Sequence, residues 1–415
     1  MKKTAIALCY AAAALFAAAS LSAQTVTVEG RVFLDRDCDG LRGREERGIP
    51  SVMVSDGFTV VRTDSDGKFS IGLGPKSRFV TVYTPSGYRH TNRFFTDVRS
   101  LVSGLEPDGK SIHRGNDGFE FGLAGAPEYG RFAQMGDIEE RAFDSWIDRL
   151  RDYSLTNDND FIAIPGDICY AAGLVNMSKF INDDPMGRRV VFTIGNHDLI
   201  KGNTDFSGNP YGEKNFEDAF GPSWYAFSTG GITFIVTPMM QGDAQPSYTK
   251  EDIKNWNKAL YGCIGENAPV VVFNHDANTA LIPEEFSTKA FVYGHRHTQY
   301  RTVTEQGIPF FCTMSYAKGS NDHAPSALRQ LFFDRDGIRS TRLKYAPLSN
   351  HLVSHIACGP EGKTELRAVV YDAAADVVRV SASFPDGTSC SLQPSGDMMW
   401  RAVLPEKPAG FYMVT

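Results

Sequence analysis

Five short clusters of carboxylate, amide and imidazole side chains recur in the middle of the chain. They are Gly136-Asp137-Ile138-Glu139, Gly166-Asp167, Gly195-Asn196-His197-Asp198, Asn274-His275-Asp276 and Gly294-His295-Arg296-His297. Oxygen and imidazole nitrogen donors without a thiolate suit divalent or trivalent metal ions. A carboxylate that bridges two ions holds them about 3.5–4 Å apart, close enough to activate a water and to clamp the attacking and leaving oxygens of a phosphoryl group. Taken singly, each cluster reads as an ordinary turn or a surface His-Asp pair. Their weight lies in their number and their common setting.

That setting is a run of apolar strands alternating with helices. Phe161-Ile162-Ala163-Ile164, Val190-Val191-Phe192-Thr193-Ile194, Val270-Val271-Val272-Phe273 and Ala290-Phe291-Val292-Tyr293 read as buried strands. Ala142, Phe143, Trp146, Ile147 and Leu150 recur at helical spacing, and a second helix is expected from Thr249 to Leu260, with Thr249 as N-cap and Asp252 three residues on. Alternation of this kind predicts an α/β domain. Each cluster follows a strand, and strand ends of an open α/β sheet are where loops converge on a ligand. A glycine before the acid or histidine lets the backbone turn tightly there.

In this order the clusters resemble the calcineurin-like metallophosphoesterase superfamily, whose series runs D-x-H, GD, GNH[DE], an NH or GH histidine, then GHxH. The resemblance covers about 220 residues and extends to Phe220-Gly221-Pro222 with Tyr225 and Phe227. It implies a two-sheet αββα sandwich and a hydrolase that uses two transition metals, manganese, iron or zinc. Residue by residue it implies that Asp137 and His297 hold the first metal, that Asp167 bridges, and that Asn196, His275 and His295 hold the second. His197 would contact the phosphate and protonate the leaving oxygen, with Asp198 orienting His197 and raising its pKa. Loops such as Lys201 to Asn215 would choose the leaving group.

One position departs from the family pattern: Glu139 stands where the family usually has His. Glutamate can coordinate through oxygen or position a bound water, and it adds negative charge. The other reading is a weak first metal site, which leaves a degenerate centre on a surface glycan- or protein-binding protein. The active hydrolase is the leading reading, because every other family position is intact. The layout also resembles exported bacterial members with β-domains on both sides, where Asn321-Asp322-His323-Ala324-Pro325 resembles a segment after the GHxH strand. His323, in a polar loop, is the candidate substrate contact. Tyr170, Tyr211, Trp224 and Tyr225 read mostly as packing, and His90, His113, His351 and His355 as surface histidines.

The organisation expected is a signal peptide at 1–23, an N-terminal β-sandwich at 24–125, the metallophosphoesterase domain at 126–345 and a C-terminal β-domain at 346–415. Lys2 and Lys3, the short apolar run Thr4 to Ala19 and Leu21-Ser22-Ala23 make the export signal, so a periplasmic or secreted protein is expected. A membrane anchor is the alternative, but the run is short for a span of about 20 residues, and no second apolar run is long enough to span a bilayer. In the first domain, short alternating strands are separated by turns such as Asp56-Gly57 and Asp66-Gly67, and Thr63 to Phe69 resembles the hairpin of carboxypeptidase-regulatory-like and adhesin B-type domains. Asp35, Asp37, Asp39, Gly40 and Glu46 fit the spacing of a calcium loop. The flanks read as strands, which points to a structural calcium site; a solvated acidic turn is the alternative. The chain stops at Phe411-Tyr412-Met413-Val414-Thr415, itself strand-like, which leaves truncation of the last domain open.

Composition narrows the partners. The 415 residues carry a formal net charge of -7, which argues against a nucleic-acid footprint and leaves a small phosphorylated substrate. Six cysteines follow the expected cleavage site without metal-binding spacing; Cys358 with Cys390 is the pair to test for a disulfide, against free thiols.

Overall fold

A computed structural model describes residues 26–102, 114–115, 118–138, 146–239, 245–298, 300–316, 321, 326–345, 350–359, 362–372, 377–395 and 398–405. The expected signal peptide, Glu139, His113, His323 and the terminal Phe411–Thr415 segment lie outside these residues, as do Ala142 and Phe143. No helix among the described residues is long and apolar enough to cross a membrane.

The described residues between 26 and 125 form two facing sheets. Val26–Leu34 is the organiser of one: it pairs antiparallel with Lys68–Leu73 and parallel with Gly118–Gly125. Met53–Ser55 and Phe79–Val82 are central in the other. Alternation along Lys68–Leu73 places Phe69, Ile71 and Leu73 inward. They meet Val54, Val80 and Val82 from the facing sheet in one core.

The middle of the chain has two sheets back to back with helices outside. In one, the parallel strands Arg189–Phe192, Phe161–Ile164 and Arg131–Gln134 are followed by the antiparallel strands Ala327–Asp334 and Gly337–Tyr345. The other runs in the order Tyr225–Thr229, Ile232–Val236, Pro269–Phe273, Ser287–Tyr293, Pro309–Cys312, Tyr300–Val303. The seam between them is rich in phenylalanine: Phe132, Phe161, Phe227, Phe234, Phe273 and Phe333 are all buried there, with Phe132 stacked on Phe161 at 4.6 Å. Helix Trp146–Thr156 covers the outer face of the first sheet through Trp146, Ile147 and Leu150. Helix Lys250–Ile264 covers the second through Ile253, Trp256 and Leu260. Its start is the capping box expected from sequence: Asp252 N–H donates to Thr249 Oγ1 at 3.1 Å, and Thr249 N–H donates to Asp252 Oδ2 at 2.8 Å.

The C-terminal flank is β-rich; its described strands form one five-stranded antiparallel sheet around Leu366, Ala368, Ala382 and Leu392. Cys358 and Cys390 are not joined: both are free thiols, the first exposed.

The N-terminal sandwich is bolted to the middle domain by a buried ionic network. Arg99 is fully buried and donates to Asp97 at 2.6 Å, Asp218 at 2.7 Å and Tyr211 Oη at 3.0 Å. Arg78 donates to Glu213 at 2.5 Å and lies 3.8 Å over the Tyr211 ring. Removing one partner from such a buried set costs about 3–5 kcal/mol, because the opposite charge is left unpaired. Trp224 Nε1 donates to the Gly57 carbonyl at 2.8 Å and Trp256 Nε1 to Ser55 Oγ at 3.1 Å. Tyr211, Trp224 and Tyr225 are thus packing residues, as expected. His90 is a correction: its side chain is mostly buried and bonds Asp183 at 2.7 Å. An interdomain partner of this kind leaves no trace in local spacing.

Candidate metal centre

The five clusters all leave the same ends of the two sheets. Asp137 follows Arg131–Gln134, Asp167 follows Phe161–Ile164 and the 195–198 turn follows Arg189–Phe192. From the second sheet, His275 follows Pro269–Phe273, and His295 and His297 follow Ser287–Tyr293. One bond joins the two sheets at this crest: Gln134 Nε2 donates to the Tyr293 carbonyl at 3.0 Å. Within the first sheet, Ile138 N–H donates to the Asp167 carbonyl at 2.9 Å, tying the first cluster to the second.

Several donors sit in unusual backbone. Asp167, His295 and His297 have φ of 51°, 66° and 48°, a left-handed conformation that costs an L residue about 1–2 kcal/mol. Such strain is held where the surroundings over-determine it and aims a side chain that a regular turn would misdirect. The neighbouring glycines have no room for a side chain. A Cβ on Gly195 would lie 2.2 Å from Asp167 Oδ1, and one on Gly294 would lie 2.3 Å from Asp137 Oδ1.

The donor atoms fall into two groups that share one member. Asp137, Asp167 and His297 each offer an atom within 4.8 Å of the others, and so do Asp167, His275 and His295. Asp167 belongs to both, the position a bridging carboxylate must occupy. Asn196 Oδ1 completes the second group at 3.2 Å from His275 Nε2 and 3.1 Å from His295 Nδ1, and those two nitrogens are 3.2 Å apart. The Nδ1 of His275 lies 2.7 Å from the Pro165 carbonyl, which can only accept, so Nδ1 carries a proton and Nε2 is the nitrogen that faces the group, where a metal would take the place of its proton. Three lone-pair atoms about 3 Å apart repel unless something positive lies among them; ligands about 2.0–2.2 Å from one metal sit at this mutual spacing. In the first group, Asp137 Oδ2 is buried 3.0 Å from His297 Nε2, yet makes no directed hydrogen bond. Both residues belong to the first donor group. The residues present therefore fit two metal ions.

Electrostatics agree. Burial opposes charge on Asp167, but His275, with His197 beyond it, holds its carboxyl below the usual range. Burial likewise opposes charge on His275, yet Asp167 and Asp137 lift its pKa to about 10. Burial and the neighbouring His275 pull His295 down. The site is thus a negative pocket built to surround positive charge.

His197 stands apart from the donor set. Its ring is about a third exposed, lies 3.9 Å from Asp167 Oδ2 through Nε2, and meets the Tyr170 ring edge-on at 5.1 Å. Its own N–H donates to Asp167 Oδ1 at 2.8 Å, which fixes the bridging carboxylate. Tyr170 is the aromatic that borders the site, and only its closeness to the Gly166-Asp167 turn signals this in the sequence.

Asp198 departs from the role the sequence implies. Its carboxylate does not bond to the His197 ring; it accepts from Ile168 N–H at 2.9 Å, Cys169 N–H at 3.3 Å and Gly195 N–H at 2.9 Å. It is wholly buried, and burial with the adjacent Asp167 charge pushes its pKa up to about 8. Asp198 braces the 166–169 turn against the 195–198 turn and so positions His197 through the backbone.

The acidic loop of the first domain holds Asp35, Asp37 and Asp39 within 4.8 Å of one another. Glu46 bonds elsewhere, accepting from Arg36 N–H at 2.7 Å and Gly43 N–H at 2.9 Å.

The family model for calcineurin-like phosphoesterase matches residues 130–299, and the model for the N-terminal domain of calcineurin-like phosphoesterase matches residues 36–100. A comparison with curated proteins yields no match. Solved structures with a distant likeness include a dimetal phosphatase from Danio rerio, at 12% identity, covering 53% of this chain and 100% of that one, with a TM-score of 0.36. A purple acid phosphatase from yellow lupin seeds is 12% identical and covers 86% of this chain and 71% of that one, with a TM-score of 0.33. A 5'-nucleotidase from Candida albicans is 13% identical over 53% of this chain and 52% of that one, with a TM-score of 0.33. With both models matched in their natural order, the chain belongs to the calcineurin-like phosphoesterase family and is a hydrolase acting on phosphoester bonds.

Proposed function

We propose that the protein is an exported phosphoesterase that cleaves a phosphomonoester or phosphodiester with two metal ions and an activated water. The observation that carries the reading is that Asp167 belongs to both donor groups. Two divalent or trivalent transition metals, manganese, iron or zinc, would supply Lewis acidity and lower the pKa of a water. Asp137 and His297 would hold one, Asn196, His275 and His295 the other, and Asp167 both, with Glu139 as an oxygen donor or water-positioning group beside the first.

The chain's own residues account for the rest. His197, exposed at the rim, is placed to hold a phosphate oxygen and to give a proton to the leaving oxygen. Asp198 keeps it there by tying two turns together. Tyr170 limits the approach to one side of the His197 ring. His323 is proposed as a substrate contact, and the loop after Asp198 as the part that chooses the leaving group. That loop is anchored to the N-terminal domain where Arg78 meets Glu213 and Tyr211, which ties the β-sandwich to substrate choice.

Export rests on the basic and apolar pattern of residues 1–23, and a periplasmic or secreted location follows from it. A structural calcium ion in the Asp35–Asp37–Asp39 loop is part of the same reading, supported by the approach of the three carboxylates.

The test pairs metal content of the purified mature protein with hydrolysis of chromogenic phosphomonoester and phosphodiester, with and without chelator, beside His197→Ala. About two transition-metal ions per chain are expected, with chelator-sensitive turnover that drops about 10²–10⁴-fold in the variant, the usual range for a general acid. A chain that takes up metal and turns over neither ester would sink the catalytic reading.

A further inference from the structure

At the far end of the strand whose exit loop carries Asn196 and His197, a second set of charged side chains lines a large cavity. Arg189 opens the strand Arg189–Phe192, so this cavity lies at the opposite end of the sheet from the metal donors. Its volume is about 690 Å³, in the range of small-molecule sites. One wall is the 89–95 segment of the N-terminal domain; the other comes from the 182–192 and 216–225 segments of the middle domain. A second cavity of about 250 Å³ shares Arg89, His90, Arg188 and Arg189 with it.

The charge of the lining is unbalanced. Arg89, Arg93, Arg188 and Arg189 face only Asp183 and Asp184. Asp183 is already engaged, accepting from Val190 N–H at 2.8 Å and pairing with His90 Nε2 at 2.7 Å. Arg188 reaches Asp158 at 3.9 Å, and its Nε is shielded from solvent without a hydrogen-bond partner. Arg189 is the telling residue. Its Nε and Nη2 are both shielded with no hydrogen-bond partner, and the guanidinium carbon lies 3.9 Å over the Phe227 ring and 5.2 Å from Phe94. Cation–π contacts offset part of the desolvation, but they satisfy no N–H. Burial pulls the Arg189 pKa down, the direction expected of a cation short of acceptors. His90 Nδ1, on the wall that the N-terminal domain supplies, is a further shielded polar atom without a hydrogen-bond partner. Phe220 and Tyr225 also line the cavity.

A guanidinium with two shielded nitrogens that lack an acceptor is best satisfied by a carboxylate or phosphate, whose oxygens match its fork of donors. We propose that this interdomain cavity is a second ligand site, distinct from the metal centre, for a small organic anion with a phosphate, phosphonate or carboxylate head and a flat apolar body. Arg189 and Arg93 hold the head, and the rings of Phe94 and Tyr225 lie against the body. Since the walls come from two domains, the ligand also bridges the N-terminal sandwich to the edge strand that leads to His197.

Phenylphosphonate, which has a carbon–phosphorus bond and is not an ester, is the probe. Its binding to the full chain is measured by calorimetry in Asp167→Asn protein, where the metal centre no longer holds a phosphoryl group. Binding of one equivalent is expected, weakened at least about tenfold by Arg93→Gln and by Arg189→Gln. Inorganic phosphate, without the apolar body, is expected to bind at least about tenfold more weakly than phenylphosphonate. Should Asp167→Asn or Arg189→Gln fail to fold, the metal-loaded protein gives the same reading: two equivalents bound, reduced to one by Arg93→Gln with ester hydrolysis unchanged. No binding to Asp167→Asn protein that melts normally, or an affinity indifferent to both arginine variants, overturns the proposal.

Discussion

Among the described residues, carboxylates gather at the crest of the middle domain and in the first loop of the N-terminal sandwich, and they are satisfied in opposite ways. In the loop, backbone N–H groups take up the acids. Asp35 accepts from Cys38 and Gly40, Asp37 from Asp39, Asp39 from Leu41, and Glu46 from Arg36 and Gly43. The loop is a self-consistent set of turns that a cation can only tighten. At the crest, backbone donors steady Asp137 and Asp167 through one oxygen each, at His295 N–H and His197 N–H. The remaining oxygens and the imidazole nitrogens face one another instead of a backbone donor. The same residue types therefore make a fold element in one place and a ligand site in the other, and what separates them is where the second lone pair goes.

The sharpest way to break this comparison is to remove the shared donor. Asp167→Asn keeps the shape of the side chain but removes its charge, and so weakens both donor groups at once. Metal content is expected to fall from about two ions toward none. Turnover is expected to fall by at least about a thousandfold, about 4 kcal/mol of transition-state stabilisation. Metal analysis beside steady-state kinetics reads both, and a variant that keeps two ions and half its activity would show that Asp167 does not bridge.

The Asp and His residues that gather into the two donor groups were legible in the sequence because each is local: a strand, a tight turn, then an acid or a histidine within a few residues. The buried strands were legible for the same reason, as was the Thr249 capping box. What was not legible depends on distant partners. Asp198 reads as the orienting partner of His197 because it is the next residue, yet its Oδ1 turns to the N–H groups of Ile168 and Cys169, far back in the chain, and its Oδ2 to that of Gly195. His90 reads as a surface residue, yet the middle domain supplies Asp183 to it. The network of Arg78, Arg99, Glu213 and Glu217 leaves no local spacing at all, since its members come from two domains.

A glycine exchange probes the comparison with a smaller perturbation. At Gly294 a Cβ would stand 2.3 Å from Asp137 Oδ1, whereas at Gly43 the nearest atoms belong to Glu46 at 3.7 Å, an ordinary contact. Gly294→Ala must displace Asp137. It is expected to cost about one metal ion and about 10–100-fold in activity, the range for disturbing what orients a ligand. Gly43→Ala is expected to change stability by no more than about 0.5 kcal/mol and activity not at all. Equal effects at the two positions, measured by metal content and thermal melting, would mean that packing around the crest is no tighter than in the loop.

The smallest effect belongs to the loop itself. Since backbone donors already satisfy its acids, calcium adds only the attraction of Asp35, Asp37 and Asp39 for one ion, and an affinity of about 10⁻⁴–10⁻³ M is expected, as in extracellular calcium modules. At calcium about tenfold above such a dissociation constant, the folded state gains about 1–2 kcal/mol. In a chain of this size that raises the melting temperature by about 2–4 °C. The rise is expected to vanish in Asp37→Asn with Asp39→Asn, while ester hydrolysis in the same protein stays at the wild-type rate. The acids differ in exposure, Asp35 being buried and the other two exposed. Substituting the exposed pair therefore removes ligand charge without emptying the core of the turn. A melting shift that survives both substitutions would place the calcium elsewhere and leave the loop as a turn held by its own backbone.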